Sequence, residues 1–118
     1  MNKIPEKLRE ELQNDKFYDQ CCLEGGGKKT ENIFDPERIE WHHNLIFANR
    51  QVQERFCILP IKKKFHDKMV GEIKERCDWI MLCRATEDEI RRYSKAINYQ
   101  REKERLILKY GNYIERRA

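Results

Sequence analysis

Three histidines are the residues of this chain best suited to chemistry near neutral pH: the adjacent pair His42 and His43 and, 23 positions after the second, His66. Imidazole titrates close to neutrality, so it can take a proton from water. In its neutral form it can also give one ring nitrogen to a metal while the other is held by a partner. Glu40, two positions before His42, is a carboxylate able to hold such a ring. The other candidate ligands are five cysteines, Cys21, Cys22, Cys57, Cys77 and Cys83. They form an odd set without regular spacing, and adjacent Cys21 and Cys22 make poor joint ligands for one ion. They read as reduced thiols rather than a secreted disulfide framework, with Cys77 and Cys83 as small hydrophobes.

The elements that must position the histidines are legible in the apolar pattern. Residues 38–42 alternate polar and apolar, as a half-buried strand does, with Ile39 and Trp41 on one face and Glu40 and His42 on the other. A polar segment, 44–55, reads as a loop or irregular turn, and a second strand over 56–61 is stopped by Pro60 and the lysine run. Beyond it the period changes to a helical one. Met69, Val70, Ile73, Cys77, Ile80 and Met81 share one stripe, and His66 sits at the helix's first turns, facing the hairpin. A strand end and a helix start then meet across the hairpin, which predicts that His42, His43 and His66 converge on a single divalent cation.

The remaining segments frame this unit. Pro5 opens a short helix whose Ile4, Leu8 and Leu12 recur every four residues, an outer strap. Between Asp19 and Pro36 the periodicity vanishes, and Gly25-Gly26-Gly27 before Lys28-Lys29 marks a mobile loop without the Gly-Lys-Ser/Thr ending of a nucleotide-binding loop. Thr86-Glu87-Asp88-Glu89 is a capping box that starts a helix carrying Ile90, Tyr93 and Ile97 inward. The stripe loses phase near Asn98 and resumes at Leu106, Tyr110 and Tyr113, so two helices or one bent helix are expected, with Gly111 as the stop. Trp41 and Trp79 read as core anchors. The fold class is therefore α+β, mostly helical, with a central β-hairpin followed by a helix and C-terminal accessory helices.

Length and composition bound the function. The 118 residues make one domain with one expected site. Charged residues make up 39% of the chain, hydrophobic ones also 39%, and the mean hydropathy is −0.97, which excludes membrane insertion and leaves the cytoplasm as the expected location. The opening Met1-Asn2-Lys3-Ile4-Pro5-Glu6 carries no apolar signal run. The net charge of +4 gathers at Lys28-Lys29, Lys62-Lys63-Lys64, Arg91-Arg92 and Arg116-Arg117, which permits a polyanion partner.

Ile39-Glu40-Trp41-His42-His43, Asn49-Arg50, Ile58-Leu59-Pro60-Ile61 and Phe65-His66 together resemble the hairpin-plus-helix core of HNH endonucleases, most closely the small phage-type members. The spacing from His43 to His66 suits that family's first and last signature residues. The resemblance covers about 21–68. It implies a ββα-metal core beginning at 19 and running to 68, between an N-terminal helix over 1–18 and a core helix over 66–84, with a helical tail over 86–118. It further implies a DNA endonuclease that hydrolyses phosphodiester bonds in a bacterial or phage-infected host cell. His43 would be the general base, His42 and His66 the ligands of a divalent metal (Mg, Mn, Ni or Zn), Asn49 a catalytic polar group orienting loop or base, and Glu40 the support of a ligand. Lys62, Lys63, Lys64, Arg50, Lys28 and Lys29 would contact DNA phosphates, giving weak sequence preference and strong salt dependence. Two departures matter. The family's second cysteine pair would fall near Lys62 and Phe65, where there is none, so no complete structural zinc site is expected. Counting back from His66 also puts the central asparagine at Cys57 rather than Asn49. The rival readings are a nucleic-acid-binding module that kept this scaffold without cleavage, and a structural zinc module mediating protein contacts.

Overall fold

In chain order, the computed structural model describes residues 4–115, with side chains through 111. Met1, Asn2, Lys3, Arg116, Arg117 and the side chain of Tyr113 lie outside the described residues. The elements are α1 (Glu6–Gln13), a 3-10 turn (Lys16–Asp19), β1 (Ile39–His43), β2 (Ile46–Phe47), β3 (Arg50–Gln51), a second 3-10 turn (Arg55–Cys57), β4 (Ile58–Lys62), α2 (Lys63–His66), α3 (Gly71–Arg84), α4 (Glu87–Arg92) and α5 (Tyr99–Glu115). The fold is α+β, as the period changes along the chain predict. No helix among the described residues is long and apolar enough to cross a membrane.

β1 and β4 pair antiparallel, from Ile39 opposite Lys62 to His43 opposite Ile58. Pro60 lies inside β4 rather than ending it. Lys63 N–H donates to Arg38 C=O and Asn44 N–H to Cys57 C=O, so alternate pairs exchange ladder bonds and the Trp41–Pro60 pair is one that does not. Proline's missing N–H therefore faces away from β1, while its carbonyl on that outer edge accepts from Cys22 N–H at 2.9 Å. The register also assigns the faces. Glu40 and His42 lie beside Ile61 and Leu59, whereas Trp41 and His43 lie beside Pro60 and Ile58.

Each face is covered. Leu59 and Ile61 pack with Cys77 and Ile80 of α3 and with Cys21, Cys22 and Leu23 of the loop after the first 3-10 turn. On the other face Ile58 packs with Leu12 and Tyr18, flanked by Ile4, Leu8 and Trp41, so α1 is the strap its four-residue repeat predicts. A third cluster joins Phe56, Trp79, Leu82, Ile97 and Leu106, tying α3 to α5. Tyr18 pins the strap side: its hydroxyl points at the carbonyls of Ile58 (2.7 Å) and Arg55 (2.8 Å). Burial pushes that hydroxyl's pKa up to about 12. Tyr18→Phe leaves both carbonyls without this donor and is expected to cost ~1–3 kcal/mol, read as a lower urea midpoint with an unchanged slope.

The structure departs from the sequence pattern in four places. The 44–55 segment contains a tight hairpin, β2–β3, turned by Ala48 (φ 53°) and Asn49 (φ 64°). Two left-handed residues match the strand twist in such a turn, and asparagine tolerates that conformation. The glycine loop does not stand free: Lys28 bridges to Arg38, and a Cβ at Gly27 (φ +106°) would lie 2.7 Å from Ile39 Cγ1, so glycine is what lets the loop press on β1. The helix expected from His66 onward is two, because Val70 is extended (φ −141°, ψ 165°) and 74% exposed, off the stripe that Ile73, Cys77 and Ile80 continue. The capping box at Thr86 does form as expected, reciprocally with Glu89, and of two helices or one bent helix the chain makes two, α4 and α5. Gly111 does not stop α5, which runs through it to Glu115.

Candidate metal centre

β4 turns directly into α2. Lys63 carries the last rung to β1, its carbonyl accepts from Asp67 N–H at 2.9 Å, and its ammonium pairs with the Asp67 carboxylate at 2.6 Å. This single turn carries His66 back over the β1 face that holds Glu40 and His42. The His42 and His66 rings meet edge to face, centroids 5.1 Å apart and planes at 69°. Glu40 Oε1 lies 2.9 Å from His66 Nδ1. A carboxylate only accepts, so neutral His66 carries its proton on Nδ1 and keeps the lone pair of Nε2 for another partner. This is the carboxylate–imidazole arrangement that supports metal ligands.

His42 is engaged through Nε2, 2.9 Å from Asn44 Oδ1. Burial pushes its pKa down to about 4, against the raising effect of the Asn44 hydrogen bond, and the nearby His66, Lys74 and His43 push the same way as burial. The ring is neutral at pH 7, the form that binds metal. A folded-state pKa below the unfolded value means that the unfolded chain binds more protons between about pH 6.5 and 4. His42 therefore contributes stability that is fully present above pH 6.5 and lost as the pH falls through that window, on the order of 1–3 kcal/mol. Urea melts of metal-free protein at pH 7 and pH 4 should show this loss, and His42→Gln should shrink it.

Two of the three predicted imidazoles are brought together, and the third is not. A strand turns successive side chains to opposite faces. His43 therefore stands on the Ile58 side, its Nε2 3.0 Å from Gln53 Oε1. The expected convergence of three histidines on one ion is corrected to a pair. Among the described residues no group of three or more His, Cys, Asp or Glu side chains is arranged to hold a metal ion. The donor set that does form, two facing imidazoles with a carboxylate behind one of them, fits a divalent cation that would take its remaining ligands from water or substrate.

The other predicted site residues are scattered. Asn49 sits at the tip of the β2–β3 turn, where its left-handed backbone accounts for it, and not beside the histidines. Lys62 is corrected outright: it faces the Trp41 side of the sheet, is only 7% exposed, and pairs with both Glu24 and Glu37 at 2.9 Å. Hydrogen bonds that Lys62 donates to Glu24 and then to Glu37 raise its pKa, and the Lys62 and Lys64 ammoniums lower those of both glutamates. Lys62 staples the glycine loop to β4, its ammonium already shared by two carboxylates. Lys64 shares the same two carboxylates, Lys63 pairs with Asp67, Lys28 with Asp35 and Lys29 with Asp19. These are surface pairs that a phosphate can displace, since each contributes only ~0–1 kcal/mol. Arg50 is exposed on β3.

Three residues at the site were missed from sequence. Asn44 (7% exposed) meets His42, and Lys74 and Asp78 on α3 meet Asn44. The period of two that pairs Glu40 with His42 extends to Asn44, and the four-residue step from Lys74 to Asp78 marks one helix face. Those were the available signals. Comparison with known proteins adds no relative: no family model, no curated protein and no solved structure matches this chain.

Proposed function

We propose that the chain is a divalent-metal-dependent phosphodiester hydrolase acting on DNA, an endonuclease of the HNH type. The observation that carries this reading is the facing pair His42 and His66, set on the end of one strand and on the helical turn after the next, with Glu40 behind His66. His42 and His66 would hold the cation through the ring nitrogens left free of Asn44 and Glu40. A cation bound there supplies charge neutralisation for the phosphate oxygens and the leaving oxygen. Glu40 orients His66 and raises the basicity of its free nitrogen. His43, on the last residue of β1 and on the other face, takes the proton of the attacking water in this reading, from a phosphate lying across the strand end. Lys63, Lys64, Lys28, Lys29 and Arg50 contribute phosphate contacts that position DNA without reading its sequence.

One observation favours a second reading. Only two imidazoles converge and the basic side chains around them carry carboxylate partners, as suits a nucleic-acid-binding module without cleavage. Supercoiled plasmid incubated with Mg²⁺, Mn²⁺, Ni²⁺ or Zn²⁺ separates the two. Nicking that chelation abolishes supports the nuclease, and retention of DNA on filters without nicking under any of the four metals supports the binding module.

A further inference from the structure

The Asn44 amide has four partners. Its Oδ1 lies 2.9 Å from His42 Nε2 and 3.1 Å from the Lys74 ammonium, while its Nδ2 lies 3.0 Å from Asp78 Oδ1 and 3.5 Å from Met81 Sδ. An ammonium can only donate and a carboxylate can only accept. The amide therefore has one orientation that satisfies both: its oxygen toward Lys74 and His42, its nitrogen toward Asp78. Turned over, it would set its NH₂ against an ammonium and its oxygen against a carboxylate in a site that is nearly closed to water, where unpaired polar groups are costly. Lys74 and Asp78 stand one helical turn apart on α3 and form an ion pair, so the helix itself fixes the spacing of the two anchors.

We infer that Lys74 and Asp78 act through Asn44 as positioning residues that set the tautomer of His42. With only an acceptor opposite it, Nε2 carries the ring proton. The lone pair then resides on Nδ1, the nitrogen that Asn44 leaves free. Glu40 does the equivalent for His66 from the other side, by fixing its proton on Nδ1 and its lone pair on Nε2. Two unrelated supports thus leave each ring of the facing pair with one bare nitrogen. The consequence for metal binding rests on the proposed function, whereas the tautomer does not.

The test reads the tautomer directly, in the full metal-free chain, by long-range ¹H–¹⁵N spectra of the imidazoles at a pH where His42 is neutral. In the parent protein His42 is expected to be protonated at Nε2, and protonation at Nδ1 overturns the inference whatever any variant does. The charge swap Lys74→Glu with Asp78→Lys reverses the two anchors, so the amide turns over, donates to Nε2 and moves the ring proton to Nδ1. Adding Asn44→Asp to the swap restores Nε2 protonation, because a carboxylate accepts from either oxygen; simple damage to the site would not be rescued. A folded swap variant that keeps its proton on Nε2 overturns the inference. Mn²⁺ or Ni²⁺ titrated into the same proteins should bind roughly 10–100-fold more weakly to the swap variant and recover in the rescue. Absence of metal binding in the parent itself counts against the nuclease reading and leaves the tautomer result intact.

Discussion

His66→Ala is expected to abolish metal-dependent nicking of plasmid DNA, and His42→Ala to do the same. Each removes one of two facing rings, and among the described residues no third side chain completes a ligand group that could compensate. Loss of an outer partner of a metal ligand typically costs 10–100-fold in affinity or activity, so loss of a ligand should exceed that. Glu40→Gln is the graded control: the ring of His66 stays and its carboxylate support goes. The expected order of residual nicking is parent, then Glu40→Gln, then His66→Ala at background. Quantified conversion of supercoiled to open circular DNA reads it, and a His66→Ala protein that nicks as the parent does removes His66 from the chemistry.

His43→Ala is expected to separate binding from turnover. The ring lies on the opposite face of β1 from His42, beside Ile58 and Gln53, so its removal should leave divalent-metal affinity unchanged. If it takes the proton from water, the nicking rate should fall by ~10²–10⁴, the usual contribution of general base catalysis. Metal titration and single-turnover nicking on the same preparation check both halves. Parent-like nicking would restrict the chemistry to the His42–His66 face.

These two variants diverge because of the alternation of a strand, which also marks how far the sequence could be read. The pattern around Trp41 located β1 and put Glu40 and His42 on one face, and the capping box at Thr86 placed α4. The same period of two sends His43 to the opposite face from His42, whereas the 23-residue step from His43 to His66 says nothing about which face either ring takes. Asn44 was legible by one more step of the same period. Lys74 and Asp78 were not, because nothing local shows which face of α3 looks at the strand end until the sheet and helix pack. The lysine run meets a related limit: Lys62 continues β4, and register, not composition, decides that it is enclosed by Glu24 and Glu37. The break before α3 turns on Val70, an apolar residue in phase with the stripe that the chain nonetheless leaves extended and in water.

Calorimetric titration of Mn²⁺ or Ni²⁺ into the chelator-stripped chain tests the centre most directly. One site per chain is predicted, lost in both His42→Ala and His66→Ala and retained in His43→Ala. Binding that persists in both single variants, or that disappears with His43, would contradict it.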